Sequence, residues 1–202
     1  MKIICVGRNY KAHAQELNNE VPSEPVVFMK PESSICTAFE VNLPASVGVV
    51  HYECECVLRL AKDIPLGTKI ENVQSICDAW TVGIDFTARA LQEQLKQKSL
   101  PWELAKSFEN ATLLGEWLPL PASNLYEHSF AFHLNGIEKQ KGNLNQLIFD
   151  FEAIINFCTQ YFSLQAGDIL FTGTPAGVGA VQSGDILEGF LLGKNLLHHQ
   201  IQ

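Results

Sequence analysis

The stretch His51-Tyr52-Glu53-Cys54-Glu55-Cys56 concentrates the groups best suited to chemistry. It lies in a Val-rich run, Gly48 to Leu60, whose period-two alternation predicts a β-strand. Alternate side chains of a strand share a face, so His51, Glu53 and Glu55 point one way and Tyr52, Cys54 and Cys56 the other. Two carboxylates on one face of an apolar strand repel each other and lose hydration, and a bound cation offsets both costs. Paired oxygen donors suit Mg²⁺, Mn²⁺ or Ca²⁺ rather than a soft metal. On spacing alone, a solvated edge-strand face is the commoner meaning of Glu-x-Glu. Zinc at Cys54 and Cys56 is a weaker rival, because the alternation turns the thiols away from the carboxylates. Asp85 is the candidate third carboxylate. It follows the apolar run Trp80 to Ile84 and opens a helix-forming segment, where an Asp ordinarily serves as a cap.

Other residues offer supporting chemistry. His13 and Glu16 are three apart on a predicted helix and share a face. A carboxylate beside an imidazole orients it and raises its basicity, although an exposed polar helix face is the ordinary reading. Arg89 and Arg8 carry guanidinium groups that can grip a carboxylate bidentately, with a structural ion pair the alternative for Arg8. The loop Thr172 to Gly179 has three glycines and a proline, so its backbone N–H groups can approach an anion. Thr174 would there hold a substrate carboxylate or keto group. The plain alternative is a tight turn.

The elements that must position these groups read as follows. A strand from Ile3 to Val6 turns at Gly7 into a helix over Tyr10 to Leu17. A Pro-rich extended stretch, Val21 to Pro31, contains a strand at Val26 to Met29. Helices are predicted at Ile70 to Cys77, Thr87 to Lys98 and Phe149 to Phe162, the second ended by Pro101 and Trp102. Further strands are predicted at Trp80 to Phe86, at Phe130 to Leu134, beyond the Asn135-Gly136 turn, and at Ile169 to Phe171. The fold class is α+β and β-rich, one domain spanning residues 1–202.

A net charge of -8 gives no support for binding nucleic acid or an anionic membrane. No apolar run approaches the ~20 residues of a membrane-spanning helix. The opening MKIICVGRNY lacks the features of a signal peptide, which places the protein in the cytoplasm. The six cysteines then read as reduced thiols, small hydrophobes of the interior.

Several pieces together resemble the fumarylacetoacetate hydrolase family, most closely its short acylpyruvate hydrolase and oxaloacetate decarboxylase or tautomerase members. They are Gly7-Arg8-Asn9-Tyr10 with His13 and Glu16, then Ser23 to Pro31, His51 to Glu55, and Asp85-Phe86-Thr87-Ala88-Arg89 with Gln92. Pro101-Trp102, Ala105-Lys106-Ser107-Phe108, Gly167-Asp168 and Thr172 to Gly179 complete the series. The resemblance implies a mixed β-sandwich roll, a homodimer, and a divalent metal, Mg²⁺ first with Mn²⁺ or Ca²⁺ as alternatives, on Glu53, Glu55 and Asp85. It implies that His13 and Glu16 sit on a lid within residues 1–47 and activate water or move a proton. Lys106 would stabilise an oxyanion, and Gln92 would position water or substrate. The expected substrate is a small 2-oxo acid that chelates the metal, which stabilises its enolate. The leading expectation is C–C hydrolysis of 3-acylpyruvates. Oxaloacetate decarboxylation or keto–enol tautomerisation is the alternative, and a non-catalytic metal-stabilised binding protein the second. The chain departs from the family pattern at Ala90, where Asp is common, in the strand after Glu55, which lacks a common glycine, and at Gly142 to Leu147.

Overall fold

The computed structural model describes residues 1–202. In its first half the chain runs β1 (Ile3–Gly7), α1 (Lys11–Glu16), β2 (Val26–Lys30), β3 (Glu40–Val41), β4 (Val50–Tyr52), β5 (Cys54–Leu60), β6 (Cys77–Asp85), β7 (Thr87–Ala88) and α2 (Arg89–Gln97). Then come α3 (Glu103–Lys106), β8 (Thr112–Leu114), β9 (Leu118–Pro119), β10 (Ser129–Leu134), β11 (Ile137–Asn143), α4 (Phe151–Cys158), β12 (Ile169–Phe171), β13 (Gly179–Ala180), β14 (Ile186–Leu191) and β15 (Lys194–Ile201). The fold is α+β and β-rich, as the alternation predicts. No helix is long and apolar enough to cross a membrane.

Seven strands form the larger sheet, ordered β2-β1-β12-β5-β6-β8, with β9 also on β6. β1 runs parallel to β12, and β5 lies antiparallel to both β12 and β6. A five-stranded sheet, β11-β10-β14-β15-β3, packs against β5 and β6. A three-stranded sheet joins β13, β4 and β7.

The period-two pattern of β5 and β6 decides what each face does. Cys54, Cys56, Leu58 and Leu60 join Trp80, Val82 and Ile84 in the main core, against Phe130, Phe132, Leu187 and Leu191 of the second sheet. Each large side chain buried there contributes about 1.5–3 kcal/mol. On the other face Val57 packs with Ile3, Cys5, Ile169 and Phe171 in a smaller cluster. Glu53 and Glu55 share that second face. The Cys54 and Cys56 thiols are turned into the main core, away from the carboxylates, and all six cysteines are unpaired and buried.

Several predicted elements change on folding. The expected strand over 48–60 is two strands broken at Glu53, because β4 leaves the large sheet to pair with β7 and β13. Ile70 to Cys77 is not a helix. A single 3₁₀ turn spans Val73–Ser75, started by Asn72 accepting from Gln74 N, and Cys77 already pairs with Leu60. The helix expected over 87–98 begins at Arg89, since Thr87 and Ala88 pair with β4. Asp85 therefore ends a strand rather than capping a helix. The last helix shortens to Phe151–Cys158, its N-cap Asp150 accepting from Ala153 N.

Candidate active site and metal centre

Register brings the three carboxylates together. Cys54 lies opposite Ile84 and Glu55 opposite Gly83, and Asp85 N donates to Glu53 O at 2.9 Å. Glu53, Glu55 and Asp85 thus share one face, two strands wide. One carboxylate oxygen from each lies within 4.8 Å of the others, and all three residues are buried. Gly83, opposite Glu55, lets the Phe171 ring and the β8 backbone pack closely against β6. A Cβ there would meet the Phe171 ring at 2.7 Å and Leu113 O at 2.8 Å.

Two buried cations and one half-buried one answer these acids. Lys106 Nζ donates to Glu53 at 2.7 Å, to Asp85 at 2.6 Å and to Thr87 Oγ1 at 2.7 Å. Lys30 Nζ, fully buried, donates to the other oxygen of Asp85 at 2.7 Å and to Ala111 O. Arg89 pairs with the other oxygen of Glu53 and donates to Gln92 Oε1 at 2.8 Å. Burial alone would raise the Glu53 carboxyl, but Lys106, Arg89 and His13 outweigh it and hold it far below the usual carboxylate range. Burial likewise opposes the charge on Lys106, and Asp85 and Glu53 outweigh that too, raising its pKa.

Glu55 is treated differently. It accepts one hydrogen bond, from Gly173 N at 2.6 Å, and pairs with no cation. Burial, reinforced by the Asp85 charge, pushes its carboxyl well above the usual range. A buried carboxylate without a counter-ion of its own, beside two further carboxylates, fits a hard divalent cation. Glu53, Glu55 and Asp85 are the residues that would hold it.

A cavity of about 400 Å³ of atom-free space, part of it open to solvent, lies over these groups. Of the residues expected to bind metal or substrate or to act in catalysis, all but Glu16 line it; His51 does not. His13 is buried, with Nδ1 3.4 Å from Glu16 Oε2. Burial lowers the His13 pKa, and Glu53 and Glu16 only partly offset this. Glu16 accepts from Gly177 N at 3.0 and 3.2 Å, tying α1 to the glycine-rich loop. Arg8 makes no hydrogen bond or ion pair with the chain and stands at φ 61°, a conformation costing of order 1–3 kcal/mol.

Two side chains are already committed in ways the residue types do not announce. All three donors of Lys106 are spent on Glu53, Asp85 and Thr87, so in this geometry the ammonium orders the acids and acts on an oxyanion only through its field. The Thr174 hydroxyl gives its proton to Cys54 O at 2.7 Å and accepts from Gln140 Nε2. A substrate carboxylate is then left the Thr174 backbone N–H, which donates to no group of the chain.

Lys30, Asn9 and Gln140 escape a reading by residue type. Lys30 follows directly on the apolar run Val26 to Met29, just before Pro31, and that is the signal that it lies in a strand. Asn9 donates to Phe149 O and Thr172 O and accepts from Phe149 N, joining the segment before α1 to two distant segments. Ala90 is exposed on α2, away from these contacts.

A family model described as the C-terminal domain of fumarylacetoacetate (FAA) hydrolase matches residues 2–198. The chain belongs to the fumarylacetoacetate hydrolase family. Among members of the family, it is 36% identical over 189 residues to a mitochondrial oxaloacetate tautomerase, fahd-1, of Caenorhabditis elegans, covering 93% of this chain and 88% of that one. It is 34% identical over 189 residues to the oxaloacetate tautomerase YcgM of Escherichia coli K12, covering 92% and 86%. The crystal structure of a fumarylpyruvate hydrolase from Pseudomonas aeruginosa, in complex with Mn²⁺ and pyruvate, superposes with a TM-score of 0.91 at 30% identity, covering 100% of this chain and 89% of that one. The chain is an enzyme of the fumarylacetoacetate hydrolase family, and the non-catalytic reading gives way to this.

Proposed function

We propose that the enzyme acts on oxaloacetate, interconverting its keto and enol forms, with decarboxylation as a second outcome of the same enolate chemistry. The observation that carries the reading is the buried triad Glu53, Glu55 and Asp85 beneath a cavity lined by His13, in a chain whose relatives include oxaloacetate tautomerases. These relatives favour oxaloacetate over the 3-acylpyruvates expected first. Acylpyruvate cleavage remains the second reading, supported by the Pseudomonas fumarylpyruvate hydrolase.

Charge supports a dicarboxylate. Three buried carboxylates face three buried or half-buried cations, Lys30, Lys106 and Arg89. A divalent ion, Mg²⁺ by preference for oxygen donors, leaves two positive charges, to which Arg8 adds a third, and a dianion such as oxaloacetate offsets most of this excess. Once bound, that ion supplies Lewis-acid polarisation of the 2-oxo group.

The chain's own residues do the rest. Arg8, free of other partners, takes the distal carboxylate. Glu16 pairs with Nδ1 of His13, leaving Nε2 to exchange a proton. His13, held neutral by burial, takes the proton from C3 and returns it at the 2-oxo oxygen, so that C3–H breaks as O–H forms. Gln92 fixes Arg89, which in turn fixes Glu53.

The test offers metal-free and Mg²⁺-loaded protein the enol and keto forms of oxaloacetate, following enol absorbance and pyruvate release separately. Acceleration of enol loss, absent in EDTA and in Glu53→Gln, supports the reading. Cleavage of fumarylpyruvate with no effect on oxaloacetate in either assay overturns it.

A further inference from the structure

β5 carries Glu53 and Glu55 past the end of its ladder partner. β12 pairs with β5 only from Val57 to Arg59, and the chain then leaves as the glycine-rich loop. The backbone on this side of Cys56 and Cys54, the residues flanking Glu55, would lose its partners. A strand end with bare peptide groups in a buried place is costly and free to shift.

One backbone bond still reaches Cys56, and side chains supply the rest. Thr172 N and Oγ1 both donate to Cys56 O, the hydroxyl at 2.8 Å. Thr174 Oγ1 donates to Cys54 O at 2.7 Å. Cys54 N donates to Gln140 Oε1 at 2.9 Å. Gln140 Nε2 closes the ring, donating to Thr174 Oγ1 and to Pro175 O, each at 2.8 Å. Gln140 belongs to β11, in the other sheet, and is 1% exposed. Both polar groups of the residue between the two glutamates are therefore held by one closed circuit of three residues.

We propose that Gln140 is a positioning residue for the carboxylate pair. Acting with Thr174, it fixes the Cys54 peptide, and with it the separation and direction of Glu53 and Glu55, before a cation arrives. A closed, fully satisfied ring is stiffer than its separate bonds. Groups that orient ligands from behind change metal affinity by about 10–100-fold when lost. The same ring holds Thr174 and Pro175 against β5, so the glycine-rich loop and the acidic strand are set as one piece. The inference rests on the triad being a cation site.

The experiment titrates metal-free protein with Mn²⁺ by calorimetry and records Tm in EDTA alongside. Wild type, Glu53→Gln, Gln140→Met, Thr174→Val, the Gln140→Met/Thr174→Val double variant and Thr174→Ser are compared. Gln140→Met and Thr174→Val are expected to bind Mn²⁺ about 10–100-fold more weakly. The double variant is expected to be no weaker than the worse single one, and Thr174→Ser, which keeps the hydroxyl, to stay near wild type. Should Gln140→Met not fold, the Val and Ser variants at position 174 carry the comparison. Wild-type affinity in Gln140→Met or Thr174→Val, even with a lowered Tm, makes the ring merely structural and overturns the proposal, as do single effects that multiply in the double variant. A wild-type protein that takes up no Mn²⁺, like Glu53→Gln, overturns the cation-site reading and the proposal with it.

Discussion

Replacing Lys30 by Met tests whether the acid cluster is balanced as described. The Lys30 side chain is fully buried, and its ammonium lies 2.7 Å from Asp85 Oδ1 while also serving Ala111 O. Methionine fills similar volume but leaves Asp85 with Lys106 as its sole ionic partner and Ala111 O without this donor. Breaking a buried pair by removing one partner costs about 3–5 kcal/mol. The orphaned carbonyl belongs to the same event, so the two costs do not simply add, and recovered apolar contact offsets part of them. A net loss of about 3–4 kcal/mol lowers Tm by about 6–16 °C in a chain of this length. The assay is thermal unfolding in EDTA and again in saturating Mn²⁺. The loss should be largest in EDTA and smaller with Mn²⁺, because a divalent ion at Asp85 replaces part of the missing charge. Mn²⁺ should also bind more tightly to Lys30→Met than to wild type, since a like-charged neighbour is gone. A Tm within about 2 °C of wild type in EDTA, against the cost expected for a broken buried pair, would refute the reasoning.

Other outcomes follow from the same geometry. Gly173 stands at φ +105°, where a Cβ would meet Asn9 Cβ at 2.6 Å. Gly173→Ala should cost about 3 kcal/mol from strain and contact, and weaken Mn²⁺ binding by withdrawing the N–H from Glu55, as unfolding and titration will show. The Glu55 carboxyl is raised by burial and Asp85. Its charged form therefore opposes folding once pH exceeds the unfolded carboxylate value of 4.5, and the loss grows until pH reaches the folded value. Glu55→Gln should raise Tm at neutral pH in EDTA while abolishing Mn²⁺ uptake; a lower Tm contradicts this. His13 titrates below its usual 6.5. Its stability contribution is complete above that value and falls as pH drops toward the folded pKa. The acid limb of kcat/KM for oxaloacetate should likewise lie below 6.5 and vanish in His13→Gln.

The carboxylates are the part of the site that sequence makes visible. Glu53 and Glu55 are two apart on a strand, and period two puts them on one face whatever the fold around them. Asp85 was harder, because an Asp before a helical segment ordinarily caps it, and only pairing of Thr87 and Ala88 with β4 shows that it ends a strand. The same tertiary preference converts residues 70–77 from an expected helix to a turn and a strand start, since Cys77 gains a ladder partner in Leu60. Lys30 and Gln140 are hidden for another reason. A lysine or glutamine in a strand is usually solvated, and nothing local records that β8 or β5 will close over it. Lys106 and Thr174 were visible as polar groups, but their commitments lie in partners 19 to 120 residues away.

The parallel pairing of β1 with β12 sets the order in which the molecule can be completed. Lys2 N and Asp168 Oδ1 are bonded across 166 residues, and Ile3 lies beside Ile169. β1 must therefore wait for a strand synthesised much later, and edge strand β2 waits with it. Topologies dominated by such distant pairings fold slowly, in about milliseconds to seconds. During synthesis the acidic strand can pair with β6 long before the glycine-rich loop exists to cover its free side. A nascent chain stalled before residue 169 would expose β5 along that edge, which makes this interval the one most open to mispairing or to a chaperone.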